Sequence, residues 1–205
     1  MGYQRPRASL FARARACARM SLIASLLLCG AALPSFASLK NPRVAKVQDA
    51  IRTKDAAAVS AFQRDFSTEA DPDVRAWTLR AAAAVKTSSD TIRLAFFQGA
   101  LSDASALVRM AAAQALGQLK GKEAASVLVS ALGSEQNAGV RTAIADALDG
   151  LDDASGDAAL AKALTADPDP NVRIRAAHAL RRKGRRSALR AAAGDKDPIV
   201  RRLAQ

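Results

Sequence analysis

The sequence is poor in several residue types that define common folds and sites. Its two cysteines, Cys17 and Cys29, both lie within the first 37 residues, which have the features of an export signal. A mature chain without that segment has no thiol, which excludes disulfides, zinc–thiolate centres and cysteine nucleophiles. Aromatic residues make up only 4% of the chain, although 50% of it is hydrophobic. Small aliphatic side chains must therefore fill the core, which favours closely packed helices over a β-sandwich.

Histidine is equally scarce, because His178 is the only one. Metal sites with several imidazoles cannot form within one chain, and any Ser-His-Asp triad would need this residue. The four acids Asp146, Asp149, Asp152 and Asp153 lack the glycine and terminal glutamate of a calcium loop, so a solvated helix end is the favoured interpretation. Glycine-rich phosphate-binding loops are absent from the sequence. We therefore predict no catalytic residue, no metal and no cofactor.

Residues 1–37 are predicted to be a cleavable signal peptide. Five arginines without any acid precede an apolar run at 21–33, and small residues before Ser38 fit cleavage after Ala37. The apolar run is shorter than the roughly 20 residues that a permanent membrane helix needs. Cleavage would give a periplasmic or secreted protein. The alternatives are an uncleaved membrane anchor and acylation of Cys29, which Leu28 disfavours.

Positive charge is concentrated near the C-terminal end. The chain carries a net charge of +12, of which five charges lie in residues 1–37, and residues 171–205 alone carry +9. Residues 38–170 are therefore slightly acidic. The densest basic run consists of Arg181, Arg182, Lys183, Arg185, Arg186 and Arg190. This basic run has two interpretations: a solvated surface, or a site for an anionic partner such as an acidic protein face, lipid head groups or nucleic-acid phosphate.

The dipeptide Val-Arg recurs five times along the chain. Its valines are residues 74, 108, 140, 172 and 200, at intervals of 34, 32, 32 and 28 residues. Apolar residues follow the valine four, seven, eight and eleven places later, which predicts an amphipathic helix in each copy. Turn residues precede each valine, and a first helix is predicted before each turn, at 56–66, 91–101, 123–132, 157–164 and 187–193. An extra helix at 42–52 is predicted to cap the repeats within residues 38–55.

An acidic residue precedes every repeat arginine by six positions. The resulting pairs are Glu69/Arg75, Asp103/Arg109, Glu135/Arg141, Asp167/Arg173 and Asp195/Arg201. A separation of six spans the turn and the start of the second helix. The acid can thus hydrogen-bond turn amides and meet an arginine of its own or the adjoining repeat. The pattern predicts a structural ladder of charges along the stack, which we call the ladder.

The repeat pattern resembles HEAT repeats, specifically the short HEAT-like type first associated with phycobilisome lyases. The resemblance is carried by the acid, the turn, the Val-Arg dipeptide and the Ala-rich helix, and the best matching copy is Ala115-Leu116-Gly117-Gln118-Leu119. The resemblance covers residues 56–205. It implies an all-α fold: a right-handed, armadillo-like α-solenoid of about five helical hairpins, with the last one truncated. It also implies that the second helices line a concave face. Gly117 and Gly150 are interpreted as helix-end glycines.

One polar position recurs on the second helices, six residues after the valine. It is occupied by Arg80, Gln114, Asp146 and His178, which we call the polar column. We predict that the polar column and the basic run bind a protein partner, and that Trp77, Phe96 and Phe97 face the core. The predicted function is a non-catalytic interaction scaffold or adaptor of the cell envelope. The alternative is binding of anions or a nucleic-acid backbone through the basic C-terminal repeats, with nucleic acid disfavoured by the export signal.

Overall fold

The computed structural model describes residues 41–205. The predictions of a signal peptide, of cleavage after Ala37 and of acylation at Cys29 concern residues outside this range. Within it the chain is all-helical, as predicted, and its α-helices number eleven. In chain order they are α1 Pro42–Thr53, α2 Ala56–Arg64, α3 Pro72–Ala84, α4 Asp90–Ala100, α5 Ala106–Leu119, α6 Lys122–Ser134, α7 Ala138–Asp149, α8 Ala154–Ala166, α9 Pro170–Arg182, α10 Arg186–Arg190 and α11 Pro198–Leu203.

Short polar side chains determine where most of these helices begin. Asp71 accepts a hydrogen bond from the Asp73 amide at the start of α3, and Asn137 accepts one from the Val140 amide at the start of α7. Such caps satisfy amides that have no partner within the helix. Proline occupies the first position of α1, α3, α9 and α11, where its missing N–H costs nothing. The turn-rich stretches of the sequence are therefore the helix boundaries.

The helices form two parallel rows. One row consists of the helices that carry the repeat valines, and these pack tightly one after another: α3, α5, α7, α9 and α11. Helix α1 packs on α3 at one end of this row. The first helices α2, α4, α6, α8 and α10 pack against these partners and make fewer contacts among themselves. Each helical pair thus touches mainly its neighbours, which is the organisation of an α-solenoid.

The core between the rows is made of valine, leucine and alanine. The five repeat valines are each at most 1% exposed, and Leu116, Leu148 and Leu180 are completely buried at the same position of successive repeats. Alanines between them allow the helices to approach closely. Gly117 marks the tightest approach: a Cβ atom built there would lie 3.0 Å from both the Cα and Cβ atoms of Ala147 on α7.

This finding corrects the interpretation of Gly117 as a helix-end glycine. Gly117 lies inside α5, and the residue that ends this helix in the left-handed conformation is Lys120, with φ of 52°. Gly150 does follow the last residue of α7, but its φ of −72° is one that any residue can adopt. Both glycines are therefore explained without a left-handed helix cap.

Three phenylalanines, Phe66, Phe96 and Phe97, form a small cluster at the first two repeats. Trp77 and Phe97 are buried, as predicted, whereas Phe96 is only half-buried. Phe96 packs edge-on against Phe66, with ring centroids 5.0 Å apart, and lies 5.7 Å from Phe97. No helix in residues 41–205 is both long and apolar enough to cross a membrane.

Candidate functional site

The ladder arginines connect successive repeats. Arg75, Arg109, Arg141 and Arg173 each donate Nε and Nη2 to both carboxylate oxygens of the next repeat's acid, at 2.8–3.0 Å. The Nη1 atom of each ladder arginine donates to two backbone carbonyls of the turn in its own repeat, at 2.7–3.3 Å. One guanidinium therefore holds its own turn and the neighbouring turn together, which is the planar recognition that lysine cannot provide.

Each ladder acid is also fixed from its own side. Its carboxylate accepts a hydrogen bond from the backbone amide two residues later, at 2.8–3.0 Å in all five repeats. Burial alone would raise the pKa of Asp167, but the hydrogen bonds from Arg141 and the Asp169 amide, with the charges of Arg141 and Arg173, bring it below the ordinary value. Asp103 and Asp195 have lowered pKa values for the same reasons. In Glu135 the hydrogen bond from Arg109 is the largest cause of a lowered pKa.

These shifts predict the pH dependence of stability. A carboxylate whose pKa is lower in the folded than in the unfolded chain stabilises the fold at pH values above its unfolded pKa, which is about 4. That contribution is lost as the pH falls through the folded pKa. We therefore expect the urea midpoint to be insensitive to these groups above about pH 5 and to fall steeply below about pH 4. A midpoint that rises on acidification from pH 5 to 3 would contradict this prediction.

Helix α1 extends the ladder by a variation that the repeat pattern does not show. Val44 is 1% exposed and takes the place of a repeat valine, although no arginine follows it. Instead Arg43, the residue before the valine, forms an ion pair with Glu69 at 2.7 Å. The side chain of Asn41 donates to the Asp71 carboxylate. The predicted capping helix is thus placed like the second helix of a further repeat.

A second set of ion pairs surrounds the C-terminal end of α9 and connects it to α7 and α8. Lys183 Nζ lies 2.8 Å from Asp157 Oδ1, and Arg185 Nε lies 2.6 Å from Asp157 Oδ2. Lys183 also donates to the Leu151 carbonyl, and Arg182 pairs with Asp149. Burial alone would raise the pKa of Asp157, but hydrogen bonds from Lys183 and Arg185 leave it lowered.

The basic run is therefore divided in two by the structure. Three of its members, Arg182, Lys183 and Arg185, are paired with acids on α7, on α8 or in the turn between them. The other three, Arg181, Arg186 and Arg190, are exposed and have no ion pair within residues 41–205. Half of the predicted anion-binding charge is thus engaged in holding the stack together.

The interpretation of the aspartate group as a solvated helix end holds for Asp152, whose side chain is 98% exposed, and is wrong for Asp149 and Asp146. The Asp149 side chain is only 7% exposed and pairs with Arg182, while Asp146 pairs with Arg175 at 2.9 Å. Asp152 lies 3.7 Å from Arg185, and Asp153 caps the start of α8. Each acid therefore has a basic or amide partner, and the part of the chain described here has no group of three His, Cys, Asp or Glu side chains arranged to hold a metal ion.

The polar column lies on the row of second helices with unequal exposure. Arg80, Gln114 and Asp146 are half-buried, and His178 is exposed. The Arg80 guanidinium lies 5.1 Å from the ring centroid of Trp77, a cation–π contact. Burial lowers the pKa of Arg80, and the charge of Asp73 opposes that effect. Burial likewise raises the pKa of Asp146, against the charges of Arg175 and Arg182.

The structure brings part of the polar column and part of the basic run together. A cleft of about 550 Å³ is lined by Asp149, Arg175, His178, Arg181 and Arg182. Arg80 and Gln114 lie on earlier repeats and do not line it. The repeat pattern does not predict a role for Arg175, because this residue lies three positions after the repeat valine, outside both the ladder and the polar column.

Comparison with known proteins agrees with the repeat geometry. Residues 64–149 match the family model described as HEAT repeats. No curated protein sequence matches the chain. The X-ray structure of Escherichia coli YibA is similar at a TM-score of 0.59 and 20% identity, over 98% of this chain and 75% of that one. An engineered protein of known crystal structure aligns with 87% of this chain and 92% of its own, at 22% identity and a TM-score of 0.47.

The YibA likeness supports the fold, and the family match places HEAT repeats on α3 to α7, where the ladder and the buried valines recur. In the fourth copy Arg173 makes the same contacts, and in the fifth copy Arg201 makes the contacts to its own turn. Residues 64–149 are therefore HEAT repeats, and the described chain as a whole has the fold of an α-solenoid built from such repeats.

Proposed function

We propose that this protein is a non-catalytic scaffold or adaptor of the cell envelope that binds another protein through its second helices. HEAT repeats generally mediate protein–protein interaction. The observation that carries the proposal is the separation of roles among the charged residues. The ladder uses its arginines and acids within the stack, whereas Gln114, His178 and Arg181 on the row of second helices make no ion pair among the described residues.

A protein partner is favoured over a nucleic acid by the distribution of charge. Residues 38–170 are slightly acidic, and three of the six cations of the basic run are paired with aspartates. Binding to a nucleic-acid backbone depends on many unpaired cations that follow successive phosphates. The envelope location is supported by the n-region, apolar run and cleavage motif of residues 1–37.

Site-specific photocrosslinking in intact cells tests the proposed surface. The full chain would carry a photoreactive residue at Gln114 or His178 on the second helices, with exposed Gln98 and Lys162 on the first helices as matched controls. We expect the two second-helix positions to crosslink to the same envelope protein and the two controls to give no such product. Equal crosslinking from all four positions, or products from the first helices alone, would contradict the proposal.

The mass of the exported chain checks the location in the same cells. Cleavage after Ala37 predicts a mature form that begins at Ser38 and carries no lipid. An unprocessed chain recovered only from the cytosol would contradict the envelope assignment and would leave the crosslinking result to stand separately.

A further inference from the structure

The cleft is the most distinctive surface that the ladder does not use. Four of its five lining residues come from α9, at positions 175, 178, 181 and 182, and Asp149 comes from α7. Side chains three or four residues apart share one face of a helix. The volume of about 550 Å³ is within the range of sites that hold a small ligand or a few side chains. Three guanidinium groups therefore converge on a space of useful size.

The three arginines of the cleft are not equally available. Arg182 is 70% exposed, but it already pairs with the Asp149 carboxylate, which is only 7% exposed. Arg175 pairs with Asp146, but their side chains remain 46% and 36% exposed. Ion pairs exposed to this extent contribute little to stability. Arg181 is exposed and has no ion pair among the residues that the structure describes.

We infer that the cleft binds a carboxylate from an acidic segment of the partner protein, with Arg181 as the primary contact and Arg175 as the second. This inference rests on the proposed function and names the chemistry of its partner. The planar guanidinium of Arg181 offers two parallel N–H donors that match a carboxylate. Arg175 exchanges its exposed contact with Asp146 for the incoming group.

An acidic peptide fits this cleft better than a phosphate backbone does. Asp149 lines the cleft and Asp146 lies beside Arg175, so a continuous row of phosphates would meet two carboxylates. A peptide can place one or two carboxylates on Arg181 and Arg175 and direct its backbone N–H groups to the aspartates. The arginines and aspartates at the cleft therefore select a partner whose own charges and hydrogen-bond donors are arranged to match them.

Fluorescence polarisation of a labelled, glutamate-rich peptide with the full chain tests this inference. We expect binding at about 0.15 M salt and none to the same peptide with glutamine in place of glutamate. Arg181→Ala is expected to weaken binding about tenfold or more, and Arg181→Lys is expected to restore only part of it. Arg186→Ala removes an equally exposed cation outside the cleft and should change the affinity by no more than about twofold.

A second variant in the same measurement is expected to bind the peptide more tightly. Asp146→Asn releases Arg175 while keeping the side-chain size, so it should strengthen peptide binding about threefold. Equal losses of peptide affinity in Arg181→Ala and Arg186→Ala would show general charge attraction and overturn the inference. Tighter binding of a single-stranded oligonucleotide than of the peptide would also overturn it. Weaker peptide binding by Asp146→Asn would overturn it as well. Crosslinking from Gln114 and His178 without peptide binding would overturn this inference alone and leave the proposed function intact.

Discussion

Replacement of Arg141 by alanine is expected to lower the free energy of unfolding by about 3 kcal/mol. The substitution removes both hydrogen bonds to Asp167 and both to the turn carbonyls of Glu135 and Gln136. It also leaves the Asp167 carboxylate, which is 7% exposed, without its partner from the preceding repeat. Removal of one member of a buried ion pair costs more than the pair itself contributes, because the remaining charge stays poorly solvated. Urea unfolding at pH 7 measures this loss.

Two further variants show whether geometry or charge is responsible. Arg141→Lys keeps the charge but cannot donate to both carboxylate oxygens and both carbonyls, so it should recover less than half of the lost stability. Arg202→Ala removes an exposed arginine next to Arg201 and should change the free energy of unfolding by less than about 0.5 kcal/mol. An Arg141→Ala protein as stable as Arg202→Ala would show that the ladder does not stabilise the stack.

Gly117→Leu is expected to destabilise the protein by about 3 kcal/mol or more, through a steric mechanism. Even the first side-chain carbon would lie 3.0 Å from the backbone Cα atom of Ala147, and a helix backbone cannot move aside as a flexible side chain can. Insertion of a larger group would push α5 away from α7 and disturb the contact between two repeats. Thermal unfolding and urea unfolding should both show this loss.

Gly133→Leu is the matched control, because Gly133 also lies inside a helix, α6. A Cβ atom at Gly133 meets nothing within 4 Å, so leucine should gain stability there through its higher helix propensity, by about 0.5–1 kcal/mol. Opposite signs at the two glycines would confirm that close helix packing, and not helix propensity, decides the effect at Gly117. A Gly117→Leu protein with unchanged stability would contradict the packing described for α5 and α7.

The ladder and the polar column place different demands on the residue type at their positions. The ladder contacts involve backbone carbonyls and amides of the turns, so they constrain only the acid and the arginine of each repeat. Other second-helix positions can vary without disturbing them. The polar column contains four different residue types in four repeats, Arg80, Gln114, Asp146 and His178. Such freedom is what a scaffold needs to acquire a specific partner.

Much of the fold follows from local sequence signals. The turn residues before each repeat valine predicted the start of a second helix, and at α3 and α9 these helices begin at Pro72 and Pro170, each directly after an aspartate. The same signal at Asn41-Pro42, with Val44 two residues later, marks α1 as a second helix, although it lacks the Val-Arg dipeptide because arginine precedes the valine there. The prediction that Gly117 ends its helix is wrong, because a single sequence does not distinguish a glycine at a helix end from a glycine at a close contact between helices.

The sequence by itself determined the secondary structure, the repeat length and the buried stripe, because capping and helical periodicity act over a few residues. Only the tertiary structure decided which charges pair. Arg141 is 26 residues from Asp167, and Arg182 is 33 residues from Asp149, so no local spacing distinguishes these partners from other acids. The pairing depends on how one helical hairpin stacks on the next. That stacking joins Arg182 to Asp149, and it leaves Arg181 at the cleft without an acidic partner in the described chain.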